Sequence, residues 1–84
     1  MTKTQYKSKL NKLIEKLGEI RSELEELQSD AEMTAEEIEP YEGKDDLTET
    51  QEERQEWLQD LAYAIEEQVS NLEEVESNLE ELTY

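Results

Sequence analysis

The side chains here with the most chemical potential are carboxylates in pairs. Glu66/Glu67, Glu73/Glu74 and Glu80/Glu81 recur every seven residues, and Glu25/Glu26 repeats the device nearer the N-terminus. Such pairs can act as general acid and base, hold a hard cation, or carry a concentrated negative field. Acid–base work needs a concave, partly dry site that pushes two pKa values apart, and solvated glutamates on a helix offer none. The chain has no histidine, no cysteine and only two glycines, which removes imidazole- or thiolate-based nucleophiles and a phosphate-cradling loop. Its serines have only carboxylates as candidate bases, and these activate a hydroxyl poorly. We therefore expect no enzyme.

The cation reading is weak as well. Glu42, Asp45 and Asp46 could attract Ca²⁺ or Mg²⁺, but their spacing lacks the alternating oxygen ligands and twelfth-position glutamate of an EF-hand loop. No metal and no other cofactor is expected. That leaves the field. Net charge is -17, and it is unevenly spread. Residues 1–21 carry Lys3, Lys7, Lys9, Lys12, Lys16 and Arg21 against Glu15 and Glu19. Beyond them only Lys44 and Arg54 oppose the remaining acids. Such acidity speaks against direct binding to nucleic acid or an anionic membrane and points to a basic protein partner.

The elements that must position these charges are legible from periodicity. Apolar residues step by three and four through Tyr6, Leu10, Leu13, Leu17, Ile20, Leu24, Leu27, Ala31, Thr34 and Ile38. That is a coiled-coil heptad, with Leu10, Leu17, Leu24, Ala31 and Ile38 at a, and Tyr6, Leu13, Ile20, Leu27 and Thr34 at d. A second seam runs through Leu58, Leu61, Ile65, Gln68, Leu72, Val75, Leu79 and Leu82. Between them Pro40, Gly43 and Lys44-Asp45-Asp46 break the pattern. Capping boxes fit at Thr2/Gln5, and at Thr48/Gln51 or Thr50/Glu53. Another fits at Thr34, where the first helix could break near 31–34, although unbroken heptad phase favours continuity.

These signals predict one all-α domain over 1–84. It is an antiparallel two-helix hairpin with helix 1 about 3–39, a turn about 40–47 and helix 2 about 48–83. The basic start of helix 1 then neutralises the acidic end of helix 2. A chain this small without disulfides makes a marginal monomer. Helix 2 also has an apolar face wider than one neighbour can cover. A homodimer forming a four-helix bundle is the expected remedy, with Trp57, Leu61, Ala64, Ile65, Gln68, Val69 and Leu72 at the oligomer interface. Gln68 either fixes register or sits at the seam edge with its amide in water.

The glutamate pairs occupy b and c, giving one stripe with a rise of about 10 Å per heptad. An ordinary solvated exterior interleaves lysine at i, i+4, and lysine is nearly absent here. Helix 2 should span roughly 54 Å, so the net charge amounts to about one per 3 Å, against one per about 1.7 Å for duplex DNA. The candidate partner-binding face is Asp60, Glu66, Glu67, Glu73, Glu74, Glu80 and Glu81, with exposed Tyr63 as an aromatic anchor. In size, acidity and helicity the chain resembles small phage-encoded inhibitors of host defence nucleases and other DNA-binding proteins, a likeness of class carried by no motif. The expected function is a cytoplasmic, nucleic-acid-mimicking inhibitor or regulator acting on the basic surface of a nucleic-acid-binding protein or nuclease. The alternative is a structural or adaptor coiled coil acting through its apolar seams.

Overall fold

Both helices begin at their capping boxes. Gln5 N–H donates to Thr2 Oγ1 (3.2 Å) while Thr2 N–H donates to Gln5 Oε1 (2.8 Å). Gln51 and Thr48 repeat the exchange at 3.1 and 2.9 Å, so Thr48 and not Thr50 opens the second helix. In this computed structural model, which describes residues 1–84, α1 spans Lys3–Glu37 and α2 spans Glu49–Glu80. A 3-10 turn at Glu81–Thr83 closes the chain. There is no break near 31–34: Ala31 and Ala35 are buried against α2, and that packing outweighs the local cap signal at Thr34.

α1 ends two residues before the expected 39, because Pro40 disfavours helical backbone at Glu39. The connector turns at Tyr41–Lys44, closed by Lys44 N–H donating to the Tyr41 carbonyl (2.9 Å). Gly43 takes φ +81° there, the left-handed value that position i+2 of a type II turn requires. Gly43 thus turns the connector and does not cap the helix. Gln51 Nε2 and Gln55 Nε2 donate to the carbonyls of Glu39 and Ala35, both at 2.9 Å; the Ala35 carbonyl also accepts the Ile38 N–H that caps α1 (3.4 Å). The helices pack antiparallel as a hairpin with extents of 68 × 15 × 15 Å. Neither helix is long and apolar enough to cross a membrane.

The seam differs from the sequence expectation in one respect that matters. The covered run on α1 and its cap is Lys7, Leu10, Ile14, Leu17, Arg21, Leu24, Gln28, Ala31, Ala35 and Ile38. On α2 it is Gln55, Leu58, Ala62, Ile65, Val69, Leu72, Glu76 and Leu79; Thr34 and Leu61 at d are half-buried beside it, as are Gly18 and Gln51. The 3.5-residue period holds, but the pair is a and e, not a and d. Each helix is turned by about 50° from the a/d orientation, half of the 100° between successive residues. Tyr6, Leu13, Ile20 and Leu27, expected in the seam, are 48–62% exposed. The e positions win because Ala35 and Ala62 let the backbones close up, and because their polar members bond across the hairpin. Gln55 reaches the Ala35 carbonyl, Arg21 reaches Glu76, and Lys7 Nζ donates to the Tyr84 carbonyl (2.8 Å).

Replacing Ile65 by Ala should cost about 2–4 kcal/mol, the usual result of emptying a buried site. Leu13→Ala should cost about 1 kcal/mol or less, as expected for a site with little burial. Urea unfolding followed by circular dichroism, in solution dilute enough to suppress association between copies, measures both. Equal losses would put d back in the seam.

Candidate functional site

The rotation of the seam sorts the remaining side chains onto two opposite faces. In an antiparallel pair, the same heptad flank of each helix lies on the same side. The b and f positions of both helices therefore border one face, and the d and g positions border the other. The structure has a groove on each. One of about 220 Å³ is lined by Arg21, Glu73, Glu76, Ser77 and Glu80. The other, of about 500 Å³, brings Leu27, Asp30, Ala31 and Thr34 of α1 beside Arg54, Trp57, Leu58 and Leu61 of α2.

The first face is acidic. Asp60, Glu66, Glu67, Glu73, Glu74, Glu80 and Glu81 are all exposed on α2 or the turn that follows it. Tyr63 stands among them with 77% of its surface free. None of the eleven acids of α2 falls at a, d or g; they occupy b, c and f, with Glu76 alone at e. Along the 68 Å hairpin the net charge amounts to about one per 4 Å, against one per about 1.7 Å for duplex DNA. This is sparser than the helix length alone suggested, because α1 and the connector lengthen the molecule beyond α2.

One cation interrupts that field. Arg21 Nε donates to Glu76 Oε2 at 2.8 Å, and its Nη1 lies 3.6 Å from Glu25 and 3.7 Å from Glu73. The hydrogen bond to Glu76, then the charge of Glu76, then those of Glu25 and Glu73 raise the Arg21 pKa further above its ordinary value. Glu76 is the one buried charged residue. Gly18 admits it: a Cβ there would stand 3.1 Å from Glu76 Oε1. A mid-helix glycine costs about 1 kcal/mol relative to alanine, and here it makes room for a carboxylate against the backbone of α1. Sequence reasoning missed this cluster. Its signal was a glycine inside a helix, level with the one acid at an inward-facing position.

The opposite face is free of acid on α2. Arg54, Trp57, Ala64 and Gln68 are exposed there, Leu61 is half-buried, and Asn71, Val75, Asn78 and Leu82 continue the stripe. Of the residues expected at an oligomer interface, Trp57, Leu61, Ala64 and Gln68 lie on this face. Ile65 and Val69 are buried against α1, and Leu72 is half-buried in the same seam. Gln68 is outside the hairpin seam, its Oε1 3.4 Å from the Asn71 amide nitrogen. Lys7 lies beside the end of α2 as the charge pattern suggested. Lys3, Lys9, Lys12 and Lys16 form no ion pair within the hairpin, since all three salt bridges belong to Arg21. No protein-family model, curated protein or solved structure matches the chain.

The Arg21–Glu76 pair is held by geometry more than by net energy, because water screens the partly exposed guanidinium while Glu76 loses hydration in the seam. Arg21→Leu alone should lower Tm, by leaving the Glu76 carboxylate unpaired beside Glu73. The double change Arg21→Leu/Glu76→Leu should recover most of that loss in thermal melts. A double variant no more stable than the single one would show that the cluster contributes net stability.

Proposed function

We propose that this chain is a non-catalytic inhibitor or regulator that presents an acidic, nucleic-acid-like surface to the basic groove of a nucleic-acid-handling protein, of the kind phages deploy against host defences. In this reading two hairpins pair through their d and g faces into a four-helix bundle, leaving the acidic faces outward. The observation that carries it is the segregation of charge. The acids of α2 stand on the sides away from a, d and g, and apart from those held by Arg21 they have no partner. Like charges at i, i+4 destabilise a helix by a few tenths of a kcal/mol per pair, a cost that a merely soluble exterior avoids by interleaving lysine. Two hairpins side by side double the density to about one charge per 2 Å, close to that of duplex DNA. The 68 Å length matches about 20 base pairs at 3.4 Å each.

The uncovered Trp57 and Leu61 also support the adaptor reading, in which a partner helix binds through apolar contact and the acidity is incidental. The two readings separate on where substitutions act. Glutamine has nearly the helix propensity of glutamate, so Glu66, Glu67, Glu73 and Glu74 can all be changed to Gln with the hairpin intact.

Immobilised protein should capture basic nucleic-acid-binding proteins from a bacterial lysate, and a 20-base-pair duplex should elute them. Affinity for the captured partner should fall steeply with salt and drop at least about tenfold in the quadruple glutamine variant, as loss of steering and complementary charge demands. A partner that stays bound through high salt, ignores the glutamines and is lost with Leu61→Asp would establish the adaptor instead.

A further inference from the structure

The d and g face, which is free of acid on α2, has no cover within the hairpin. We propose that a second copy of the chain covers it in one defined register. α1 packs antiparallel on α1 of the other copy, and α2 on α2, about a two-fold axis level with Ile20. This deepens the dimer assumed under the proposed function by fixing its surface and geometry.

The first argument is charge. On the open side of α1, Leu13, Ile20 and Leu27 are 48–55% exposed, and the g positions beside them read Lys9, Lys16, Glu23, Asp30. None of these four charges has an ion pair in the hairpin. Turned end for end, the stripe is complementary to itself. Lys16 meets Glu23 of the second copy and Lys9 meets Asp30, while Leu13 meets Leu27 and Ile20 meets its own counterpart. Such an isologous contact is what a two-fold axis requires. A stripe shaped for a foreign helix has no reason to match its own reversal. Parallel packing would set lysine on lysine, and a slip of one heptad either way would place Lys16 or Glu23 against its own copy. Crossing α1 onto α2 of the second copy would leave these lysines facing a stripe without acids.

The second argument is register. The contacts of Gln55 with Ala35, Arg21 with Glu73 and Glu76 with Gly18 place residues 70–74 of α2 level with Ile20. The same axis therefore passes close to Asn71. It stacks Leu61 on Leu82 of the second copy and Gln68 on Val75, with the Asn71 amides adjacent at the axis. Two helices with unrelated sequences thus accept one symmetry operator. The polar side chains nearest it, Gln68 and Asn71, suit a register-fixing role at some cost in stability. Ile20 is also the midpoint of α1, so the two copies overlap along their whole length.

The chain has no cysteine, which makes crosslinking clean. In the full-length chain, Ile20→Cys should give a covalent dimer with a short bis-maleimide. Leu13→Cys alone should not, because its two copies lie about 21 Å apart along the axis at 1.5 Å per residue. A mixture of Leu13→Cys and Leu27→Cys should crosslink. In sedimentation, Lys16→Glu and Glu23→Lys should each weaken the dimer at least about tenfold, and their combination in one chain should restore it to within about threefold, the signature of a direct pair. Circular dichroism checks that each variant remains helical. The proposal is overturned by a chain that stays monomeric at hundreds of micromolar, by self-crosslinking at all three positions, or by no crosslink from any of them. These readouts use the chain alone, so they are independent of the glutamine variants that test partner binding.

Discussion

A carboxylate leaves water only at high cost unless a cation meets it, and that constraint arranges the rest of this molecule. Every acid of α2 but one stands at b, c or f, which fixes those sides to solvent. What is left is an arc of a, d, e and g positions too wide for a single neighbour. α1 covers the a and e half, where the small side chains of Ala35 and Ala62 are buried, and the d and g half stays largely open. The exception proves costly in the expected way: Glu76 enters the seam only with Arg21 bonded to it and with a glycine at position 18 to admit it.

The same sorting separates two physical roles. The acid-free arc of α2, with Trp57 and Leu82 exposed and Leu61 half-buried, provides non-directional attraction proportional to area. The acidic sides carry a long-range negative field, of the kind that attracts basic groups and is screened by salt. In the proposed reading, placing them on opposite faces would let one surface assemble the particle while the other meets its target. A duplex-like charge density depends on both, since the single hairpin carries about half the charge per unit length of the overlapped pair.

Much of this was legible in the sequence because it rests on local signals. Thr2, Thr48 and Pro40 mark the element ends, Gly43 marks the turn between them, and the b and c glutamates face water whatever the packing. The choice of seam was not legible. Leu13, Ile20 and Leu27 at d are more apolar than Lys7, Arg21 and Gln28 at e, so any reading by hydrophobicity selects d. Burial of e depends on the partner helix: small residues at 35 and 62, an amide at 55 bonded to the Ala35 carbonyl, and an arginine matched to a glutamate 55 residues away. Those are pairings across the hairpin, which no single window of sequence contains. The outward residues Trp57, Ala64 and Gln68 were legible as an excess on helix 2. The matching stripe on α1 emerged only once d was seen to be exposed.

Small-angle X-ray scattering with calibrated forward intensity tests the account most directly. It predicts a particle of twice the 9.9 kDa chain mass whose maximum dimension stays near the 68 Å of one hairpin, because the copies overlap from end to end. A particle of single-chain mass at high concentration, or a dimer well over 100 Å long joined at its ends, would contradict it, since neither could bring the two acidic faces to the charge spacing of a duplex.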